Sequence, residues 1–124
     1  AFVRKVLLPA SSLRPIGALK QHVEALVAVD LTTGVVDRRP IEEDLARAYL
    51  GGRGLNVKRL WDELPPHLAR PGADALSPDN LLLFGAGPLV GTTFPGGARF
   101  NVTALSPQTG MLGDGNAGGF FGPE

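Results

Sequence analysis

The sequence predicts an α+β fold, on three observations. Short β-branched or apolar runs occur at both ends, at 25–38 and again at 81–86 and 98–104. Helix-type patterns lie between them, at about 41–64. Strands grouped at the ends with helices between point to α+β. Third, Gly (17) and Pro (11) make up nearly a quarter of the 124 residues, and most of the glycines lie from Gly85 to Gly122. That back third is built on turns, bulges or a backbone that something approaches closely. It lacks the Ser/Gln bias of a linker.

Each element has its own warrant. Ala25-Leu-Val-Ala-Val-Asp-Leu31 is a β-branched run, Thr32-Thr33-Gly34 is a turn, and Val35-Val-Asp-Arg38 resumes an extended pattern, which together read as a hairpin. Pro40 opens a helix whose first turn holds Glu42, Glu43 and Asp44, favourable to the helix dipole. It is expected to stop at Gly51-Gly52. A second helix spans Arg53–Leu64, closed by Pro65-Pro66. Tyr49 and Trp61 fall at helical spacing from apolar residues and are expected in the core. Residues 65–80 form a loop. Leu81-Leu-Leu-Phe-Gly-Ala86 reads as a buried strand, Ala98–Ala104 as another, and Gly113–Gly119 as a glycine loop.

Composition narrows the function. Twelve Lys+Arg balance twelve Asp+Glu, so no clustered positive charge argues for nucleic acid. No apolar run approaches the roughly 20 residues of a membrane span. There is no Cys, so these residues supply no disulfide and no thiolate for a cluster. Hydrophobic content of 44% with 19% charged is globular. One domain of this length buries about two-thirds of its extended surface. Residues 1–25 are basic and are expected to be an atypical N-terminal extension; a transit peptide is the alternative. The start at Ala1, the single Met111 and the end at Glu124 suggest a processed, truncated or incompletely read product.

Three places carry candidate chemistry. Gly113-Asp-Gly-Asn-Ala-Gly118 matches G-x-G-x-x-G, but the strand before it is minimal and Gly119-Phe-Phe-Gly is a poor helix start, so the dinucleotide fold is rejected. Its amides could still cradle an anion. Arg99 is the only cation after Arg70. It could hold a ligand phosphate through its donor fork, face water at a strand edge, or pair with Asp114. Asn116, between small residues, could be a left-handed turn residue. Gly51-Gly-Arg-Gly54 resembles a phosphate loop, though a cap joining two helices with a solvated Arg53 is simpler.

Taken in order, these segments resemble a known family. They are Leu31-Thr-Thr-Gly34, Tyr49-Leu-Gly-Gly-Arg-Gly-Leu55, Asp62-Glu-Leu-Pro-Pro66 and Leu76-Ser-Pro-Asp-Asn80. They continue with Gly87-Pro-Leu-Val-Gly-Thr92, Arg99-Phe-Asn-Val102, Ser106-Pro-Gln-Thr-Gly110 and Gly113-Asp-Gly-Asn-Ala-Gly-Gly-Phe-Phe-Gly122. The sequence over 26–124 is similar to part of the N-terminal domain of the tungsten-containing aldehyde:ferredoxin oxidoreductases. The resemblance implies a β-rich, two-sheet domain, incomplete here, with the helical pair at about 41–64. It also implies an enzyme that oxidises aldehydes to carboxylic acids and passes electrons to ferredoxin.

By the same resemblance, Arg99, Asn116 and Gly118 match positions that contact a tungsten (or molybdenum) bis-pyranopterin. The backbone carbonyl of Asn116 matches one that helps hold a magnesium ion bridging the two pterin phosphates. No residue of this chain is assigned to catalysis. An Fe4S4 cluster is expected only on C-terminal domains absent from these residues. A cytoplasmic location and a possible homodimer are also implied. Gly-Gly-Ala before Arg99 and Gln108 in the Ser-Pro-Gln-Thr-Gly turn depart mildly from the family pattern. Two alternatives stand beside this reading. One is a free-standing, non-catalytic pterin- or phosphate-binding module. The other is a non-functional remnant with Leu81–Ala86 left as an open sheet edge.

Overall fold

A computed structural model describes residues 5–10, 25–92 and 94–119. Six strands and two helices follow in the order β1 (Lys5–Ala10), β2 (Ala25–Asp30), β3 (Val36–Pro40), α1 (Glu43–Tyr49), α2 (Gly52–Glu63), β4 (Leu81–Ala86), β5 (Arg99–Leu105) and β6 (Leu112–Gly118). The fold is α+β. The strands lie in the order β3-β2-β1-β4-β5-β6. Two antiparallel three-stranded units, β3-β2-β1 and β4-β5-β6, meet at a short parallel seam where Lys5, Val6 and Leu7 pair with Leu81, Leu82 and Leu83.

The β2–β3 hairpin follows from its turn. The Asp30 carboxylate accepts hydrogen bonds from the Thr32 and Thr33 amides at 2.7 and 3.1 Å, and Gly34 takes φ +71°. Helix α1 carries Glu43 and Asp44 in its first turn, and Arg47 reaches back to Glu43 at 2.7 Å. It ends one residue before the glycines: Leu50 adopts the left-handed cap, φ +57°, and its amide donates to Ala46. Gly51 and Gly52, both at positive φ, then turn the chain straight into α2.

Alternation along the strands puts Leu26, Ala28, Leu81 and Leu83 on one face of the sheet. There they pack with Ile41, Ala46, Leu55 and Leu60 from the helical segment. A smaller cluster, Leu68, Ala75 and Leu105, lies under the 65–80 loop. Asn80 ties that loop down: its Nδ2 donates to the carbonyls of Ala75 and Leu105 at 2.8 and 2.9 Å, and its Oδ1 accepts from the Leu81 and Leu105 amides.

Four expectations change. Gly113–Gly119 is not a loop: Leu112–Gly118 is strand β6, paired along β5 in an unbroken register from Leu105↔Leu112 to Arg99↔Gly118. The β5 partner supplies hydrogen bonds that local glycine content could not forecast. Leu81–Ala86 is not an open edge, because β1 and β5 flank it. Trp61, 84% exposed, and Tyr49 lie on the outer side of the helical pair, where they border a groove with Arg53, Gly54, Val57 and Lys58. The α2 core positions are instead Leu55, Asn56 and Leu60. Finally, residues 5–10 of the expected extension form β1, inside the sheet; residues 1–4, 11–24 and the Phe120–Gly122 end of the last motif lie outside the described residues.

Candidate functional site

The β5–β6 pairing gathers the three residues singled out above. Arg99 lies directly opposite Gly118, and Asn116 lies opposite Asn101, two residues along. Alternation places Arg99, Asn101 and Thr103 of β5 and Asp114, Asn116 and Gly118 of β6 on one face, the face that α2 covers. Arg99 and Gly118 lie at its open end. Asn116 is extended strand, not a left-handed turn residue.

The opposite end of this face is a buried polar cluster. Asn56, on the inner side of α2, directs its Nδ2 at the Asn101 Oδ1 (3.1 Å), the Asn101 carbonyl (3.3 Å) and the Thr103 hydroxyl (3.3 Å). The Thr103 hydroxyl donates to the same Asn101 Oδ1 at 2.6 Å. With its oxygen so engaged, Asn101 turns its Nδ2 to β6. There it meets the Gly115 carbonyl at 3.2 Å, and the Asp114 carboxylate and the Asn116 Oδ1 at 3.3 Å each. Asn56, Asn101 and Thr103 are all essentially buried, and the Asn56 Nδ2, both ends of the Asn101 amide and the Thr103 hydroxyl are paired, as burial demands.

Gly85 makes room for the cluster. It lies opposite Asn101 on β4, and a Cβ there would come within 2.6 Å of the Asn56 Oδ1 and 2.7 Å of the Gly52 carbonyl. Gly118 is different. A Cβ there would meet nothing within 4 Å, and its φ is not in the left-handed region. Neither packing nor backbone conformation demands glycine at 118, so the free space beside Arg99 is where an outside body could lie against the strand.

Charge at this end of the sheet is positive. Arg53 pairs with Asp114 at 3.1 Å, which ties the first turn of α2 to β6. Arg53 is therefore not simply solvated, and Asp114 is not the partner of Arg99. Arg99 is exposed and has no ion-pair partner among the described residues. The first turn of α2 carries no acid to offset its dipole, and Gly52 packs beside Gly87 at the Arg99 end of β4. An exposed arginine, uncapped amides and a glycine edge suit an anionic ligand. On the outer side of α2 the Lys58 pKa is raised above its ordinary value by the hydrogen bond to Asp62.

Sequence reasoning missed Asn56, Asn101, Thr103 and the Arg53–Asp114 pair. A signal was present for two of them. Asn101 and Thr103 share parity with Arg99 and Leu105 in a strand, so two polar residues had to lie on a face that also carries core. No pattern in the sequence links Arg53 to Asp114 across sixty positions of chain.

The statistical model of the family "Aldehyde ferredoxin oxidoreductase, N-terminal domain" matches residues 26–124. The chain belongs to that family. Against the tungsten-containing aldehyde ferredoxin oxidoreductase of Pyrococcus furiosus, it is 43% identical over 98 residues, 79% of this chain and 15% of the relative. Against the enzyme of that name from Thermococcus kodakarensis, it is 45% identical over 96 residues, 77% of this chain and 15% of the relative. An aliphatic sulfonate oxidoreductase, WOR-like subunit, of Pyrococcus furiosus is 37% identical over 89 residues, 71% of this chain and 14% of the relative. A solved structure, the active site complex BamBC of benzoyl coenzyme A reductase with 1,5-dienoyl-CoA, superimposes with a TM-score of 0.70 at 36% identity, over 98% of this chain and 15% of that one. The chain thus spans about 15% of the length of the aldehyde ferredoxin oxidoreductases it matches, and carries the N-terminal domain of an oxidoreductase family. Among the described residues, no helix is long and apolar enough to cross a membrane.

Proposed function

We propose that this domain forms one wall of a tungsten bis-pyranopterin site in an aldehyde-oxidising enzyme, with Arg99, Asn116 and Gly118 as its contacts. The observation that carries the reading is their convergence: residues 17 to 19 positions apart come to one end of one hairpin, beside a glycine whose missing Cβ leaves open space. The residues present fit such a group. Arg99 offers a planar donor fork to a phosphate, and no protein carboxylate competes for it among the described residues. Gly118 lets a flat ring or phosphate come against the strand. The backbone carbonyl of Asn116 would be this chain's ligand to a magnesium ion bound with the cofactor.

When bound, the metal–dithiolene group supplies two-electron redox chemistry. The domain's own residues bind and orient it, and none of them acts as an acid or base. Relatives named for an aldehyde, an aliphatic sulfonate and a benzoyl-CoA substrate share this domain at 36–45% identity. A domain common to such different substrates supports a role in holding what the reactions have in common. Substrate choice, the Fe4S4 cluster and the electron route to ferredoxin then belong to other parts of the enzyme, and a homodimer is its proposed assembly.

The test is tungsten and pterin per polypeptide in the enzyme that carries these residues, purified with and without Arg99→Ala. At least a tenfold loss of both from a normally folded variant is expected. Unchanged content removes Arg99 from the site.

A further inference from the structure

We propose that Asn101 is a positioning residue that sets the polarity of Asn116, so that Asn116 presents its amide N–H donors, not its oxygen, to the bound group. The inference rests on the reading of Asn116 as a cofactor contact and adds which atom makes that contact.

The chain of orientation starts in α2. An amide side chain has one acceptor end and one donor end. The acceptor end of Asn101 is claimed twice, by the Asn56 Nδ2 at 3.1 Å and the Thr103 hydroxyl at 2.6 Å. Thr103 is fully buried and Asn101 is 3% exposed, so no water competes. Asn101 is therefore locked with its NH2 toward β6, where its two hydrogens face three acceptors: the Gly115 carbonyl at 3.2 Å, and the Asp114 carboxylate and the Asn116 Oδ1 at 3.3 Å each. The last contact turns the oxygen of Asn116 inward and its NH2 outward on an exposed strand, in the row that also holds Arg99 and Gly118. Asn116 and Arg99 then both offer N–H donors at one end of the hairpin. The matching ligand surface is rich in acceptors: phosphate oxygens or ring carbonyls and nitrogens. Supporting residues one step removed from a ligand commonly alter its retention 10–100-fold when changed.

Asn101→Asp reverses the polarity while keeping the shape. When ionised, its carboxylate still accepts from Asn56 and Thr103 but has no hydrogen to give β6, so the Asn116 oxygen is pushed outward, and the Asp114 carboxylate and Gly115 carbonyl lose the same donor. The enzyme carrying these residues is produced in a host that makes the tungsten cofactor, and tungsten and pterin per polypeptide are measured with thermal melts. Asn116→Ala and Asn80→Ala are measured alongside. Asn80 is an equally buried, fully bonded asparagine at the far end of β5, so its variant loses stability without touching the site.

The expected result is about tenfold less cofactor in Asn101→Asp and in Asn116→Ala, with normal content in Asn80→Ala. Normal content in a folded Asn101→Asp, while Asn116→Ala is depleted, overturns the positioning role and leaves the Asn116 contact standing. Normal content in Asn116→Ala removes the contact itself, and the inference with it. Equal depletion in Asn80→Ala reduces the Asn101 effect to general destabilisation, which also overturns the proposal. Should Asn101→Asp fail to fold, Thr103→Val removes one of the two anchors at nearly constant volume. Its tungsten is expected to escape about threefold faster on dialysis, and an unchanged rate overturns the proposal.

Discussion

Gly85 and Gly118 lie on the same face of the same sheet, yet their surroundings are opposite. At Gly85 the space is filled by the Asn56 amide and the Gly52 carbonyl. Gly85→Ala should therefore force α2 off β4 and cost about 1–3 kcal/mol, the usual penalty of overpacking, read as a lower melting temperature. At Gly118 the space is empty. Gly118→Ala should leave stability within about 0.5 kcal/mol, as surface changes do, while lowering tungsten content in the enzyme. A stability loss at Gly118 comparable to that at Gly85 would mean the residue serves packing instead. The two substitutions thus separate a structural glycine from a binding one with one calorimeter and one metal assay.

At the scale of elements, the 65–80 loop shows how one side chain can stand in for secondary structure. Asn80 uses both amide hydrogens and its oxygen to join Ala75, Leu81 and the end of β5. Asn80→Ala leaves buried backbone groups without partners and should cost about 1–3 kcal/mol. Urea unfolding should show it as a lower midpoint with an unchanged slope.

Elements were legible in the sequence where a local signal exists. The hairpin at 25–40 has Asp30 and Gly34 in its turn, the helices have acids and prolines at their ends, and Leu81–Ala86 is apolar throughout. Strand β6 was not legible, because Leu-Gly-Asp-Gly-Asn-Ala-Gly has almost no strand propensity of its own. It is extended because β5 offers a full ladder of hydrogen bonds, a tertiary cause that leaves no local trace. For the same reason Arg99 and Asn116 stood out only as single residues and Gly118 only through resemblance, while the amide network behind them left no local trace. Tyr49 and Trp61 misled for a related cause: helical spacing gives a stripe, but the inward side is set by Ala46 in α1 and by Leu55, Asn56 and Leu60 in α2.

At the scale of the molecule, the sheet depends on a strand that precedes the family's matched region. Residues 26–124 carry the family match, yet β1 lies between β2 and β4. Removing residues 1–10 would strip both neighbours of their inner partner and expose two unpaired edges, one of them the apolar Leu81–Leu83 segment. The truncated protein is expected to elute as aggregate in size-exclusion chromatography. A monomeric, cooperatively melting product would show that the two halves hold together through α2 alone.

The parallel seam also has a bearing on the order of assembly. Each three-stranded half closes through antiparallel contacts, but Lys5 must find Leu81 across most of the chain, and the gain is only three residue pairs. Loop closure of that length costs chain entropy before it returns contacts. The hairpins therefore form early and the seam late. During synthesis β1 emerges well before β4 and waits for it, with β2 as its partner among the described strands in the meantime. Pulse-labelled amide exchange should find the Val6–Leu82 region protected last, making the centre of the finished sheet the youngest part of the fold.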